Sequence, residues 1–227
     1  MAEPAQLAIR RDFPRPGADE IAPFQNAPTG WVVDAQGRRG ALPHWIRPLS
    51  RQTRFVGTAL TVRTRPVDNL APYAALRFAR PGDVLVVAAD AGTTTSIIGD
   101  ILLGMAKNAG IVACVTDGLV RDIEGINQVG LPTFAQGLSP NSPFKDGPGE
   151  IGGTISLGNV VIGAGDLLVG DIDGVVVVPR TNVPTVGAEL KAIAGKEAGM
   201  EAVVKGGAKY PAWLDAILGS DRVRYID

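Results

Sequence analysis

The chain has 227 residues, 45% of them apolar and 20% charged, which suits one folded domain and is too apolar for intrinsic disorder. Its net charge is −1 and its Lys and Arg residues are scattered, so a nucleic-acid partner is disfavoured. One cysteine, Cys114, excludes an internal disulfide, and one histidine, His44, argues against zinc sites and histidine-dependent acyl transfer. We expect a cytoplasmic protein with no membrane partner, because no stretch resembles a signal peptide or a membrane span.

The first part of the chain predicts an arm followed by alternating strands and helices. Residues 1–29 are rich in proline and alanine and predict a partly helical N-terminal arm, and the domain itself is expected at 30–227. β-Branched residues predict strands at 55–63 and 84–88, and the apolar spacing within 69–80 predicts a short helix between them.

A second helix is predicted after the polar loop that ends at Ser96. Apolar residues recur with helical spacing and indicate a buried helix that ends at Gly110. The spacing permits a start at Ser96 or at Gly99–Asp100. A strand at 111–116 and a short helix at about 122–129 follow.

The last third of the chain predicts short strands and then helices. Glycine-separated runs at 154–156, 160–162, 166–169 and 175–178 indicate a compact, mostly β half. A helix from Pro184 to about Lys205 and a last amphipathic turn or helix at Trp213–Leu218 are expected to be peripheral. The order of strands and helices predicts the α/β class, with loops gathered at one sheet edge.

Three charged residues near element ends form the candidate site. Asp100 and the pair Arg121–Asp122 are separated by twenty residues and are expected to meet at that edge. A guanidinium binds a carboxylate through bidentate hydrogen bonds, and aspartate carboxylates are suitable ligands for Mg²⁺ or Mn²⁺. The set therefore fits a small 2-oxo acid, whose carboxylate would meet the arginine and whose ketone would meet the metal. If the helix begins at Gly99, the N–H groups of Ile101 and Leu102 are available to the substrate carboxylate as well. The alternative is that both aspartates cap helices and Arg121 forms a surface ion pair.

The order of motifs resembles the RraA-like family. The resemblance lies in Gly82–Val87, in Gly99–Asp100 followed by Arg121–Asp122, and in Asp171–Arg180, and it covers about residues 30–205. It implies a single-domain, layered α/β sandwich of the swivelling β/β/α type. The family includes the 4-hydroxy-4-methyl-2-oxoglutarate/4-carboxy-4-hydroxy-2-oxoadipate (HMG/CHA) aldolases.

The resemblance also implies roles for individual residues. Asp122 corresponds to the ligand of the divalent metal, Arg121 to the residue that contacts the substrate, and Asp100 to the residue that orients metal-bound waters. A glutamate from the C-terminal helix of an adjacent subunit completes the site, with Glu197 as the candidate and Glu201 or Glu189 as alternatives. The family further implies a homotrimer or a homohexamer.

The sequence therefore predicts a class II, metal-dependent pyruvate aldolase. It would cleave a 4-hydroxy-2-oxo diacid by a retro-aldol reaction through a metal-stabilised enolate. The alternatives are an oxaloacetate decarboxylase and a non-catalytic regulator of the ribonuclease E inhibitor type. Asp100 favours an enzyme, because the non-catalytic branch typically lacks this aspartate. The loop at 139–149, which carries Lys145, is expected to be solvated, with a substrate lid as the alternative.

Overall fold

The computed structural model describes residues 5–226 in two compact units, which meet in the sequence between Leu190 and Lys191. The α-helices are α1 (Ala18–Ile21), α2 (Thr29–Ala35), α3 (Leu70–Ala75), α4 (Asp100–Asn108), α5 (Ile123–Val129), α6 (Val183–Lys205) and α7 (Trp213–Leu218). Short 3₁₀ helices lie at Ala22–Phe24, Leu76–Phe78 and Arg180–Asn182. The strands are β1 (Leu7–Ile9), β2 (Arg47–Pro48), β3 (Phe55–Thr64), β4 (Asp83–Ala88), β5 (Ser96–Ile98), β6 (Ala113–Thr116), β7 (Leu119–Val120), β8 (Thr133–Ala135), β9 (Gly137–Leu138), β10 (Gly149–Ile151), β11 (Ile155–Leu157), β12 (Val160–Ile162), β13 (Leu167–Asp171) and β14 (Gly174–Val178).

A nine-stranded mixed sheet forms the centre of the first unit. Strands β3, β4, β6 and β8 are parallel neighbours, and their residues are almost all buried, as the strands of a sheet covered on both faces must be. Antiparallel strands extend the sheet on both sides: β2 pairs with β8, and β10 and β13 pair with β3. The mixed α/β class expected from the sequence is confirmed.

A second, smaller sheet carries the candidate site. Strands β5, β7 and β9 are parallel and run side by side in that order. The apolar spacing of Ile97 and Ile98 continues that of the following helix, so the sequence left its start open between Ser96 and Gly99–Asp100. The structure places these residues in β5 and begins α4 at Asp100, so the later of the two possible starts is correct.

Helix α4 is buried on one face only, which corrects the expectation of a fully buried helix. Leu102, Leu103 and Ala106 lie in the core, whereas Ile101 and Met105 are 64% and 50% exposed. The buried face packs with α5 over the central sheet. The helix ends at Asn108, and Gly110 then adopts a left-handed conformation with φ +87°, as a glycine after a helix terminus commonly does.

The expected β half after residue 152 is not a separate layer. Its first hairpin, β11–β12, forms a small sheet of its own, but β13 and β14 join the central sheet beside β3. The segment before residue 30 also reaches this sheet, since β1 pairs with β10. The pairings of β13 with β3 and of β1 with β10 join residues far apart in sequence, and local sequence patterns do not reveal such pairings.

The second unit, from Lys191, consists of most of α6 and of α7. Both helices occur where the sequence predicts them, and from Lys191 to Ile226 no residue is buried. Across residues 5–226, no helix is long and apolar enough to cross a membrane.

Candidate functional site

The site lies at the carboxyl ends of the three parallel strands of the small sheet. Gly99 and Asp100 follow β5, Arg121 and Asp122 follow β7, and the loop with Ser142 follows β9. Carboxyl ends of neighbouring parallel strands meet at one edge, so residues distant in sequence come together there. The sequence predicted that these residues meet at a sheet edge, and the structure brings them together at the edge of the small sheet.

Asp100 is the first residue of α4 and lies against α5. Its Oδ1 accepts the N–H of Ile101 at 2.7 Å, so this N–H, expected to face a substrate, is engaged by the protein. The Leu102 N–H belongs to the same first turn, where a helix supplies no carbonyl partner of its own. The Asp100 carboxyl group lies directly over Gly125, and any side chain at 125 would overlap it.

Asp122 precedes α5 in an unusual backbone conformation. Its φ of 59° and ψ of 43° lie in the left-handed region, and its side chain makes no capping hydrogen bond to the helix. Residues held in sparsely populated conformations concentrate at functional sites. The carboxylate instead accepts Nε of Arg121 at 3.1 Å, and the absence of a side chain on Gly99 leaves it room. The helix-cap alternative for Asp122 is therefore wrong.

Arg121 is held by two partners. Beside the bond to Asp122, its Nη1 donates to Oγ of Ser142 at 2.5 Å, and the side chain is 37% exposed. Ser142 is itself oriented by Asn141, whose Oδ1 accepts the Ser142 N–H at 3.1 Å. A guanidinium has five N–H donors, so those not engaged by these two described partners can bind a substrate.

These residues line one cavity of about 170 Å³. Its lining contains every expected site residue of the strand ends, together with others: Asn69, Tyr73, Ser96, Ile97, Ile98, Gly99, Asp100, Ile101, Leu102, Arg121, Asp122, Ser142, Pro143 and Lys145. A cavity this small suits an acid of a few carbons rather than a nucleotide or a large cofactor.

Asn69 and Lys145 are among the polar lining residues that the sequence did not assign to the site. Asn69 is 6% exposed, and within residues 5–226 its Oδ1 is the buried side-chain polar atom that has no hydrogen-bond partner. A buried acceptor without a partner is costly, and Asn69 is one of the residues that line the cavity, so a ligand donor that reached this oxygen would be stabilising. Lys145 also lines the cavity, and its Nζ lies 6.0 Å from the centre of the Tyr73 ring. In the sequence, the Pro-Gly-rich loop marked Lys145 as a residue that could reach a substrate. Nothing in the sequence marked Asn69 in this way.

The expected glutamate is elsewhere. The residues that line the cavity all lie between 69 and 145, so Glu197 and its alternatives Glu189 and Glu201 are not among them. All three are on α6 and exposed, and Glu201 pairs with Lys205 at 2.9 Å. An adjacent subunit as the source of Glu197 stays a prediction.

The donor set fits a hard divalent cation bound through few protein ligands. Among residues 5–226, no three Asp, Glu, His or Cys side chains are grouped closely enough to enclose a metal. Asp122 and Asp100 nevertheless present two carboxyl groups to one cavity, and the Asp122 carboxylate is 43% exposed. Mg²⁺ commonly binds through one or two carboxylates and keeps several waters, so this chemistry is compatible with the residues present.

Comparison with known proteins agrees with the fold. The family model described as RraA-like, Aldolase/RraA, matches residues 29–177. A protein of Halalkalibacterium halodurans named "Putative 4-hydroxy-4-methyl-2-oxoglutarate aldolase" is 42% identical over 162 residues, 71% of this chain and 77% of that protein. A crystal structure of an uncharacterized protein from Pseudomonas syringae pv. tomato aligns with a TM-score of 0.75 at 25% identity, covering 87% of this chain and 97% of the other.

A regulator is also among the structural neighbours. The RNA-processing inhibitor RraA from Thermus thermophilis aligns with a TM-score of 0.64 at 28% identity, covering 68% of this chain and 94% of its own. The fold and the site at its strand ends thus define a protein of the group that holds both aldolases and RNA-processing inhibitors. This chain belongs to the RraA-like family.

Proposed function

We propose that the chain is a divalent-metal-dependent lyase that releases pyruvate from a 4-hydroxy-2-oxo diacid. The observation that carries the proposal is the convergence of Asp100, Arg121 and Asp122 on one small cavity, with the Asp122 carboxylate not used to cap its helix. The name of the 42% identical relative supports the same substrate class. Mg²⁺ or Mn²⁺ is the proposed cofactor, and Asp122 would hold it.

Arg121 would bind the 2-oxo acid end of the substrate. Its guanidinium is fixed by Asp122 and Ser142, so it meets the substrate with little loss of side-chain freedom. The N–H of Leu102, in the first turn of α4, adds a donor for the substrate carboxylate. When bound, the cation would supply Lewis acidity that draws electron density from the 2-oxo group.

Lys145 and Asn69, which also line the cavity, suit the second carboxylate and the 4-hydroxyl group of the substrate. Lys145 supplies a cation for the second carboxylate, and the unpartnered Oδ1 of Asn69 can accept the hydrogen of the 4-hydroxyl group. Two cationic residues in one lining, Arg121 and Lys145, match a substrate with two acid groups. This pairing supports a diacid over a simple 2-oxo acid.

The reaction would proceed by loss of the 4-hydroxyl proton and cleavage of the C3–C4 bond. Asp100 would take the proton through an ordered water, and C4 would become a carbonyl carbon. The bonding electrons of C3–C4 would pass into the enolate of pyruvate, whose C3 then takes up a proton to give the methyl group. Asp100 can hold its position for this role because Gly125 has no side chain to displace it.

The test is pyruvate release from 4-hydroxy-4-methyl-2-oxoglutarate, followed with a coupled assay. We expect activity in the unsubstituted protein, and a loss of at least 100-fold in Asp122→Ala. Asp173→Ala is the matched control, because Asp173 is an exposed loop aspartate outside the cavity and should leave the rate unchanged. Equal rates in the two variants would contradict the assignment of Asp122.

Oxaloacetate decarboxylation is the nearest second activity. Loss of CO₂ from oxaloacetate leaves the same pyruvate enolate, so the groups that serve one reaction serve the other. Comparison of kcat/KM for the two substrates on one preparation decides which is the main activity.

A non-catalytic regulator is the candidate from a different class, supported by the Thermus thermophilis neighbour. Such a protein has no need of the carboxyl groups in the cavity. If the purified protein bound no Mg²⁺ or Mn²⁺ and released no pyruvate, while inhibiting RNA processing with Asp122→Ala as effective, this reading would replace the lyase.

We also propose that the lyase is a homotrimer or homohexamer in which Glu197 of one copy serves the site of another. Exposed apolar side chains on the second unit, among them Val203, Val204 and Trp213, support association with a further copy. Light scattering should give the mass of three or six chains. A monomer at assay concentration would remove the basis for Glu197.

A further inference from the structure

Asp68 is a buried aspartate just outside the cavity, and no step of the proposed reaction uses it. Its side chain is fully buried and accepts four hydrogen bonds. Oδ1 accepts the N–H of Leu70 at 2.9 Å, and Oδ2 accepts Nη2 of Arg65 at 3.2 Å. Oδ2 also accepts the backbone N–H groups of Asp146 at 2.7 Å and Gly147 at 3.0 Å.

The carboxylate thereby joins two segments that contribute residues to the cavity lining. One segment carries Asn69 into α3, and the other carries Lys145 on an exposed loop. Backbone bonds reinforce the junction: the Asn69 N–H donates to the Phe144 carbonyl at 3.0 Å, and the Phe144 N–H donates to the Val67 carbonyl at 2.8 Å. The backbone of Lys145 is thus held through the residues on both sides of it, and Lys145 itself lines the cavity.

The charge of Asp68 suits this task. Burial raises the pKa of its carboxyl group, but the bonds from Leu70, Asp146, Arg65 and Gly147 lower it, and the net result lies below the usual value. The group is therefore ionised at neutral pH, where bonds from N–H donors to a carboxylate are stronger than those between neutral groups.

We infer that Asp68 is a positioning residue that holds Lys145, and with it the subsite for the distal carboxylate of the substrate. The inference rests on the proposed function, because it assigns that carboxylate as the partner of Lys145. Asp68 touches no substrate. Its loss should weaken recognition of the second acid group and leave the chemistry at Arg121 and Asp122 intact.

The test compares two substrates that differ in the second acid group. We expect Asp68→Asn to raise KM for 4-hydroxy-4-methyl-2-oxoglutarate about fivefold to tenfold, with kcat changed less than about twofold. For 4-hydroxy-2-oxopentanoate, which has no second carboxylate, kcat/KM should change less than about twofold. Adding Asp68→Asn to Lys145→Met should cause no further loss of preference for the diacid.

Asp83→Asn is the matched control for removal of a buried carboxylate. Asp83 is 1% exposed and also accepts a backbone N–H, from Arg80 at 2.8 Å, and an arginine side chain, from Arg15 at 2.8 Å, but it does not line the cavity. We expect it to alter both substrates equally. An equal effect of Asp68→Asn on both substrates would show that Asp68 is merely structural and overturn the inference.

Hydrogen exchange on the unsubstituted protein tests the contact even if Asp68→Asn fails to fold. The amides of Asp146 and Gly147 should exchange at least tenfold more slowly than the amide of Lys145. Exchange at the same rate for all three would mean that Asp68 does not hold the loop. If the unsubstituted protein released no pyruvate from either substrate, the proposed function would fail, whereas the exchange result would still report on the contact itself.

Discussion

The carboxyl group of Asp100 occupies the space that a Cβ atom at Gly125 would need, so the two helices meet at a point where one residue must have no side chain. Asp100 begins α4 and Gly125 is in the interior of α5. Glycine is the poorest helix former after proline, and its presence inside a seven-residue helix costs about 1 kcal/mol relative to alanine. The close approach of Asp100 explains why glycine occupies this position despite that cost.

Gly125→Ala should lower activity without unfolding the protein. The added methyl group overlaps the Asp100 side chain, which must turn away from its position in the cavity, while the helix itself gains propensity. We expect kcat/KM for pyruvate release to fall at least tenfold and the thermal midpoint to change by no more than a few degrees. Gly104→Ala on α4 is the control, because a methyl group there meets only the Val129 side chain at 3.9 Å. Equal rates in the two variants would show that the position of Asp100 is unimportant.

Arg121→Lys should strongly lower kcat/KM, although the substitution keeps the positive charge. The lysine ammonium cannot reproduce the fork that bonds Asp122 and Ser142 while still presenting donors to a substrate. Loss of one charged hydrogen bond is worth about 1.5–3 kcal/mol, so kcat/KM should fall about 10-fold to 100-fold. Steady-state kinetics measure this directly, and a variant with unchanged kcat/KM would remove Arg121 from the substrate site.

Lys145→Met should act on binding rather than on chemistry. Methionine keeps most of the length of the side chain but removes the charge that would meet the distal carboxylate. We expect KM for the diacid to rise about tenfold and kcat to change less than about twofold. A fall in kcat alone would instead place Lys145 among the groups that move a proton.

Asp117 should make folding stability depend on pH. Its buried carboxyl group accepts the N–H groups of Ala89 at 2.6 Å and Ala91 at 3.0 Å. Burial raises its pKa above the usual value, and although these bonds lower the pKa and nearby Asp90 raises it further, the net shift is upward. The folded state therefore binds more protons between the ordinary and the raised pKa, and stability falls as pH rises through that window.

Urea unfolding at several pH values checks this prediction. The difference in unfolding free energy between the unsubstituted protein and Asp117→Asn should decrease as pH rises from about 4 through the raised pKa. Asp68→Asn should show the opposite sign, because the pKa of Asp68 is lowered in the folded state. Its stabilising effect should be present above about pH 4 and disappear as pH falls through the folded pKa. The same sign for both variants would contradict the assigned shifts.

Much of the fold followed from local patterning, and the failures share a physical cause. The strand at 84–88, the helix at Trp213–Leu218 and the glycine after α4 were predicted because burial, periodicity and turn chemistry act locally. Strand β5 was missed because its three residues are stabilised by pairing with β7, which lies more than twenty residues later. The placement of β13 beside β3 depends on pairing over a still longer separation.

The candidate site divides in the same way. Asp100, Arg121 and Asp122 were recognised because they form a motif with fixed spacing, and the structure brings them to one cavity. Asn69 was not recognised, because its distinguishing feature is a buried oxygen without a hydrogen-bond partner, which only the packed structure shows. Gly125 likewise looks like an ordinary helix residue until Asp100 is seen against it.

The dependence of pyruvate release on a divalent cation tests the central claim most directly. Purified protein should release pyruvate from 4-hydroxy-4-methyl-2-oxoglutarate with Mg²⁺ or Mn²⁺ and lose that activity in excess chelator. Adding either cation back beyond the chelator should restore the rate, whereas Asp122→Ala should stay inactive throughout. Undiminished pyruvate release in excess chelator would contradict the metal-dependent lyase.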